Sequence, residues 1–323
     1  MIEAGLLLVF GLTLLVGGGE AMVRGAAALA RQLGVPPLVI GLTVVSFGTS
    51  APELAVNASA ALRGDGAVAF GNIVGSNLAN VGLILAVCAL VRPLAVQSIV
   101  ITREIPMMLL GSAAAAVMGF DALRGAESSV YDRSEGLVLL LLFAVFLYYT
   151  IGETFRRRAD DPFVQQAEQY PAGERLRSIA ISAGLVALGL LGLAIGGAVT
   201  VSAAVEIATV AGISKAVIGL TIVALGTSLP ELTASIVAVR RGEADLAVGN
   251  VVGSNIFNLL FVLGVTASIA PVPVPGQGHA DLVAMLVFGA SLLLFAFGRN
   301  DVTRVEGSCL LVGYLGYLVW RMA

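Results

Sequence analysis

The chain has 323 residues, 58% of them hydrophobic and 12% charged, and its mean hydropathy is +0.97, so its apolar stretches must face lipid as well as one another. A formal net charge of -3 with no concentrated basic patch excludes nucleic acid as a partner. The two cysteines, Cys88 and Cys309, lie in apolar segments and His279 is the single histidine, which excludes a disulfide framework and a soft-metal cluster; no cofactor is expected, and any bound cation must be held by oxygens.

The N-terminal stretch MIEAGLLLVFGLTLLVGGGE lacks a basic n-region and a small-residue cleavage site, and reads as a first membrane helix instead of a signal peptide. At roughly 20 apolar residues per span, ten spans are predicted: 4–30, 37–62, 67–91, 98–120, 135–153, 178–210, 215–239, 245–269, 279–298 and 304–321. The fold class is therefore all-α, a polytopic membrane protein. Its widest polar interruption runs from Glu153 to Arg177 and includes Arg156, Arg157, Arg158, Asp160, Asp161, Glu168, Glu174 and Arg175. That interruption divides the chain into 1–153, a loop at 154–177, and 178–323, with five spans on each side. Of the 18 basic residues, 13 fall on the side reached after the odd-numbered helices and 5, namely Arg63, Arg124, Arg133, Lys215 and Arg321, on the other. The positive-inside rule then places the 154–177 loop in the cytoplasm and both termini outside it. The expected location is a prokaryotic inner or plasma membrane.

The chain also repeats itself. Residues 41–80, GLTVVSFGTSAPELAVNASAALRGDGAVAFGNIVGSNLAN, align without a gap with residues 219–258, GLTIVALGTSLPELTASIVAVRRGEADLAVGNVVGSNIFN, and 21 of the 40 positions are identical. The informative identities are polar or conformationally special: GTS-x-PE, the Arg-Gly turn and GN-x-VGSN-x-x-N. An offset of 178 residues carries one half onto the other, and five spans per repeat give the copies opposite orientation in the membrane. Inverted repeats with interrupted helices are typical of secondary transporters, whose substrate sits near the bilayer midplane where the repeats meet.

The residue types at these positions point to a cation. Thr49, Ser50 and Glu53 fall near the middle of the second span, and Thr227, Ser228 and Glu231 near the middle of the seventh. Gly48 and Pro52 weaken the helix there, and Pro52 frees a carbonyl, so carbonyls around Ser46 to Gly48 and Ala224 to Gly226 are expected to line a protein-enclosed cavity. A carboxyl group at the centre of a span costs at least roughly 2.5 kcal/mol on insertion scales, and two of them at repeat-equivalent sites are hard to attribute to packing. Asn72, Ser76 and Asn80, and likewise Asn250, Ser254 and Asn258, recur every four residues and share one helical face. The serines and Asn80 and Asn258 are the stronger ligand candidates; interhelical hydrogen-bond glue is the competing role for this face. Two carboxylates with hydroxyl, amide and carbonyl oxygens suit calcium, which takes six to eight oxygens in flexible geometry. The same oxygens suit several sodium ions in separate subsites.

These paired motifs resemble the alpha repeats of the sodium/calcium exchangers in the cation/calcium antiporter superfamily, particularly its compact prokaryotic members. The resemblance implies that Glu53 and Glu231 are the central calcium ligands and that the carbonyls of Thr49 and Thr227 complete the shell. It further implies that Ser50, Ser76, Ser228 and Ser254 line flanking sodium subsites with carbonyls from Ser46 and Ala224, and that Asn80 and Asn258 face the centre. Helices 1 and 6 of that family are long, tilted and slide to alternate access. Some relatives, including potassium-dependent exchangers, carry aspartate where Asn258 stands, which weighs against potassium co-transport. The loop at 154–177 is too short for the calcium-sensing domains of animal exchangers.

The function expected is therefore sodium/calcium antiport by alternating access, electrogenic if three sodium ions exchange for one calcium. Proton/calcium antiport with Glu53 and Glu231 as titrating groups is the alternative. An intramembrane acid-pair hydrolase is the reading from another class, and no protease motif supports it. The expected partners are calcium, sodium and the lipid bilayer, with no obligatory protein partner.

Overall fold

The computed structural model describes residues 2–120, 129–156, 172–212 and 224–322. Arg124, Arg157, Arg158, most of the 154–177 loop, Lys215 and residues 215–223 of the seventh predicted span lie outside the described residues. The helices are α1 (Ile2–Leu33), α2 (Pro37–Thr49), α3 (Ala51–Arg63), α4 (Gly66–Val91), α5 (Val100–Gly119), α6 (Arg133–Arg156), α7 (Ala172–Val210), α8 (Leu229–Arg240), α9 (Ala244–Ile269), α10 (Gly278–Ala296) and α11 (Arg304–Met322). A single helical turn, Ala224–Gly226, precedes α8. Among the described residues seven helices are long and apolar enough to cross a membrane, and eight when α2 and α3 count as one broken span. The two other expected spans correspond to α11, whose hydropathy is lowered by Glu306, Tyr314, Tyr317 and Arg321, and to the segment ending in α8, described only from Ala224.

The chain forms two compact units, Met1–Thr49 with Glu153–Asn250, and Ser50–Gly152 with Val251–Ala323. Each unit draws segments from both sequence repeats.

In the first unit α1 packs along α7. The contact is made by small residues at heptad spacing: Gly11 meets Gly196 and Thr200, Gly18 meets Gly189 and Leu193, and Gly25 meets Ser182 and Val186. Partner numbers fall as α1 numbers rise, so the two helices run antiparallel, as equivalent helices of inverted repeats must. A β-carbon added at Gly189 would lie 2.4 Å from the Met22 nitrogen and 2.6 Å from the Gly18 oxygen. Small residues let backbones approach closely and gain dispersion where lipid offers no hydrophobic drive. At the end carrying Arg24 and Arg31, Arg24 and Arg241 both pair with Glu20, and Arg31 pairs with Glu243.

In the second unit α11 lies against α4, with Gly82 beneath the Tyr314 ring and Gly307 against the Ala86 carbonyl. Two short antiparallel pairings tie the connections together: β1 (Leu94–Ala95) with β4 (Asp301–Val302), and β2 (Val130–Tyr131) with β3 (Val272–Pro273). The strand after α4 of the first repeat pairs with one from the second repeat, and the strand after α9 returns the exchange. Tyr131 donates its hydroxyl to the Ala115 carbonyl at 2.7 Å. Asp281 of α10 accepts hydrogen bonds from Tyr317 and Arg321 of α11 at 2.7 and 2.9 Å.

Gly189→Ala is expected to lower the stability of the detergent-solubilised protein by about 1–3 kcal/mol through overpacking. Gly17→Ala, where an added β-carbon meets nothing within 4 Å, is expected to stay within about 0.5 kcal/mol. Thermal unfolding of the purified variants checks this; equal shifts in both would refute the close-contact account.

Candidate functional site

The second span is broken at one residue. Helix α2 ends at Thr49, Ser50 takes φ -87° and ψ 4°, and α3 restarts at Ala51 with Pro52 in its first turn, where proline's missing N–H is tolerated. The second repeat does the same: Ser228 takes φ -91° and ψ 6°, and α8 restarts at Leu229 with Pro230 in its first turn. The break therefore falls at Ser50 in the first repeat and at Thr227 and Ser228 in the second, between the glycine and the proline expected to weaken the helix. Gly48 stays helical, and its missing side chain makes room for Leu190 of α7, whose Cδ1 would lie 2.4 Å from an added β-carbon; Gly226 makes room for Val201 in the same way, at 2.3 Å.

Glu53 and Glu231 each sit three residues after the serine, in the first turn of the restarted helix, and both are buried. The S-x-x-E spacing is that of a capping box. Neither serine hydroxyl caps the helix it precedes. The helix dipole at this position favours an ionised carboxylate by about 0.3–1 kcal/mol.

In the first unit, Asn250 of α9 organises the surroundings of Glu231. Its Nδ2 donates to the Ser235 hydroxyl at 3.0 Å and to the Glu231 carbonyl at 3.4 Å, and its Oδ1 accepts from the Thr49 hydroxyl at 3.1 Å. The Thr49 hydroxyl also reaches the Ser46 carbonyl at 3.4 Å, and the Ser46 hydroxyl donates to the Leu42 carbonyl at 2.7 Å. Ser46, Thr49 and Ser228 are buried and Thr227 is half-buried. Ala224 begins the helical turn before the break.

In the second unit, the Asn57 amide donates to the Glu53 carbonyl at 2.8 Å and reaches Asn72 Oδ1 at 3.5 Å. Ser50, Ser76, Asn80, Ser254 and Asn258 are all buried. Asn80 and Asn258 sit where α4 and α9 widen into π-helical turns, Asn80–Leu85 and Phe257–Val262, a distortion frequent at functional sites. Asn80 Nδ2 donates to Asn255 Oδ1 at 2.9 Å.

Several of these buried atoms find no hydrogen-bond partner among the described residues: Asn80 Oδ1, both amide atoms of Asn258, Ser254 Oγ and Thr227 Oγ1. Each such atom costs about 1–3 kcal/mol to bury. Most of them are oxygens, and that donor chemistry fits a hard cation.

The sequence reading passed over Asn57, Ser235, Asn77 and Asn255, all buried. The repeat offset held the signal, since it maps Asn57 onto Ser235 and Asn77 onto Asn255. The pair Asn57 and Asn72 corresponds to the pair Ser235 and Asn250, and both pairs make contact.

The family model described as sodium/calcium exchanger protein matches residues 4–152 and 181–323. The chain is 38% identical to the inner membrane protein YrbG of Escherichia coli (strain K12), covering 99% of this chain and 96% of that one. It is 32% identical to the sodium/calcium exchanger MaX1 of Methanosarcina acetivorans, covering 97% of each. The solved structure of the sodium-calcium exchanger NCX_Mj superposes with a TM-score of 0.84 at 31% identity, covering 99% of this chain and 98% of that one. These likenesses remove the hydrolase reading. The chain belongs to the sodium/calcium exchanger protein family, and it is an integral membrane transporter, not an enzyme.

Proposed function

We propose that the protein exchanges sodium for calcium by alternating access, with Glu53 and Glu231 supplying the charge that holds calcium. The observation that carries this reading is the twinned break: two serines with the same non-helical backbone, each followed by a buried glutamate in the first turn of a new helix. A carboxylate in that place is stabilised by the helix N-terminus, and two carboxylates balance one calcium ion.

Thr49 and Thr227 contribute backbone carbonyls at the breaks. Ser50, Ser228, Ser76 and Ser254, with carbonyls of Ser46 and Ala224, hold sodium in flanking subsites. Asn80 and Asn258 add amide oxygens. The similarity to MaX1 and NCX_Mj, both named as sodium and calcium exchangers, supports sodium over protons as the counter-ion. Calcium plus the two carboxylates sums to zero charge, whereas three sodium ions plus the same carboxylates leave +1, so a 3:1 exchange moves one net charge per cycle. The distribution of basic residues, 13 against 5, supports a cytoplasmic 154–177 loop, non-cytoplasmic termini and an inner or plasma membrane location.

Purified protein in sodium-loaded proteoliposomes is expected to take up radiolabelled calcium when diluted into sodium-free medium. Uptake driven only by a proton gradient would overturn the sodium reading in favour of proton/calcium antiport. Because calcium entry accompanies net positive charge leaving, an inside-positive potential should speed this uptake and an inside-negative one slow it; indifference to potential would refute the 3:1 ratio. Glu53→Gln and Glu231→Gln should each reduce exchange by at least about 100-fold while leaving a monodisperse protein, since each removes half the balancing charge and replaces a carboxylate oxygen with an NH2 group. Wild-type rates in either variant would sink the ligand assignment.

A further inference from the structure

We infer that Asn255 is a positioning residue that sets the polarity of a buried amide, turning the oxygen of Asn80, and not its NH2 group, toward a cation. The inference rests on the ligand roles proposed above. A carboxamide is nearly symmetric in shape but opposite in charge at its two ends, so a flipped amide would present a donor where a cation needs an acceptor. Something must fix the flip.

The structure supplies a chain of one-way contacts. Met108 Sδ, a thioether, can accept a hydrogen bond but not donate one. Asn255 Nδ2 donates to it at 3.4 Å, which leaves Asn255 Oδ1 facing Asn80. An oxygen can be met only by a donor, so Asn80 answers with Nδ2 at 2.9 Å. The Asn80 oxygen is thereby turned away from its partner, buried and unpartnered among the described residues.

Among the described residues the repeat-equivalent pair lacks the equivalent contact. The offset that maps Asn80 onto Asn258 maps Asn77 onto Asn255. Asn77 Nδ2 donates to the Ile73 carbonyl at 2.8 Å, another acceptor-only anchor. The group Asn77 has left to offer is its Oδ1, which is buried and unpartnered, as are both amide atoms of Asn258. Asn77 and Asn258 therefore do not share the hydrogen bond that joins Asn255 to Asn80. Ordinary packing asparagines need only satisfied ends; Asn255, next to a candidate ligand, is anchored on a group that dictates its sense.

The test is the calcium dependence of sodium-driven uptake by the full chain in proteoliposomes, with melting temperature measured alongside. Asn255→Leu, close in volume but unable to accept a hydrogen bond, is expected to raise the KM for calcium by ~10-fold or more with little change in maximal rate, the usual scale for losing a group that orients a ligand. Met108→Leu keeps the packing volume and removes only the anchor, and should raise KM about threefold; it carries the test should Asn255→Leu not fold. A merely structural role would lower the melting temperature or the maximal rate and leave KM alone. Parent protein active with KM unchanged in the folded variants would overturn this inference. Absence of sodium-driven uptake in the parent protein would instead overturn the proposed function.

Discussion

A polar atom at membrane depth has no water to turn to, and this constraint shapes the molecule. Most backbone groups are satisfied within helices, and hydroxyls fold back onto the preceding turn, as Thr43 does on Val39, Ser46 on Leu42, Ser112 on Met108 and Thr266 on Val262. These back-bonds cost little and are available wherever a serine or threonine sits mid-helix. Asparagine offers a longer reach, and here it links helices: Asn250 gathers Thr49, Ser235 and the Glu231 carbonyl, and Asn255 joins Met108 to Asn80. Of the oxygens these two devices leave over, those of Asn80, Asn258, Ser254 and Thr227 lie on residues proposed to meet cations, and those of Asn57, Asn77 and Thr200 do not.

Duplication makes this arrangement twofold in chemistry. Ser50 and Ser228 differ by only a few degrees in backbone angles, so one local solution, a serine break followed by proline and glutamate, is used twice. The support around it is only partly repeated. Asn57 touches Asn72 where Ser235 touches Asn250, so the contact persists while one residue changes type. The short strands of the second unit follow the same logic, each repeat lending one to the other. Inverted copies need not be identical at each position, provided the contacts that fix the breaks survive.

Much of this was legible in the sequence. Among the described residues hydropathy located the helix ends to within a few residues, except for α7, which begins at Ala172 instead of 178, because amphipathic polar turns carry no hydropathy signal. The repeat exposed the paired glutamates before any coordinates. The break falls between the glycine and the proline, with proline in a tolerated first-turn position, but the glycine's second use, admitting Leu190 and Val201, carries no signal in the sequence. Two-residue strands are too short to show alternation, and π-helical turns have no sequence period of their own. Asn57 and Ser235 went unnoticed since identity between repeats, not similarity of polar function, marked the motif.

The α1 and α7 contact shows a different use of the same constraint. It runs along three glycines of α1 at heptad spacing and places backbone against backbone, so it is held by dispersion, while the ion pairs near Arg24 lie within α1 and between α1 and the end of α8. The residues around Glu53 and Glu231, by contrast, are tied by directional bonds. Directional bonds fix geometry to fractions of an ångström, which ligand oxygens require, while close apolar contact tolerates displacement along its length without stranding a donor or acceptor. On the proposed reading this division is functional: rigidity is concentrated where cations are told apart. On the same proposed reading, a donor set carrying two carboxylates is costly to seal from water without positive charge, so passage between access states would favour the loaded protein and select exchange over leak.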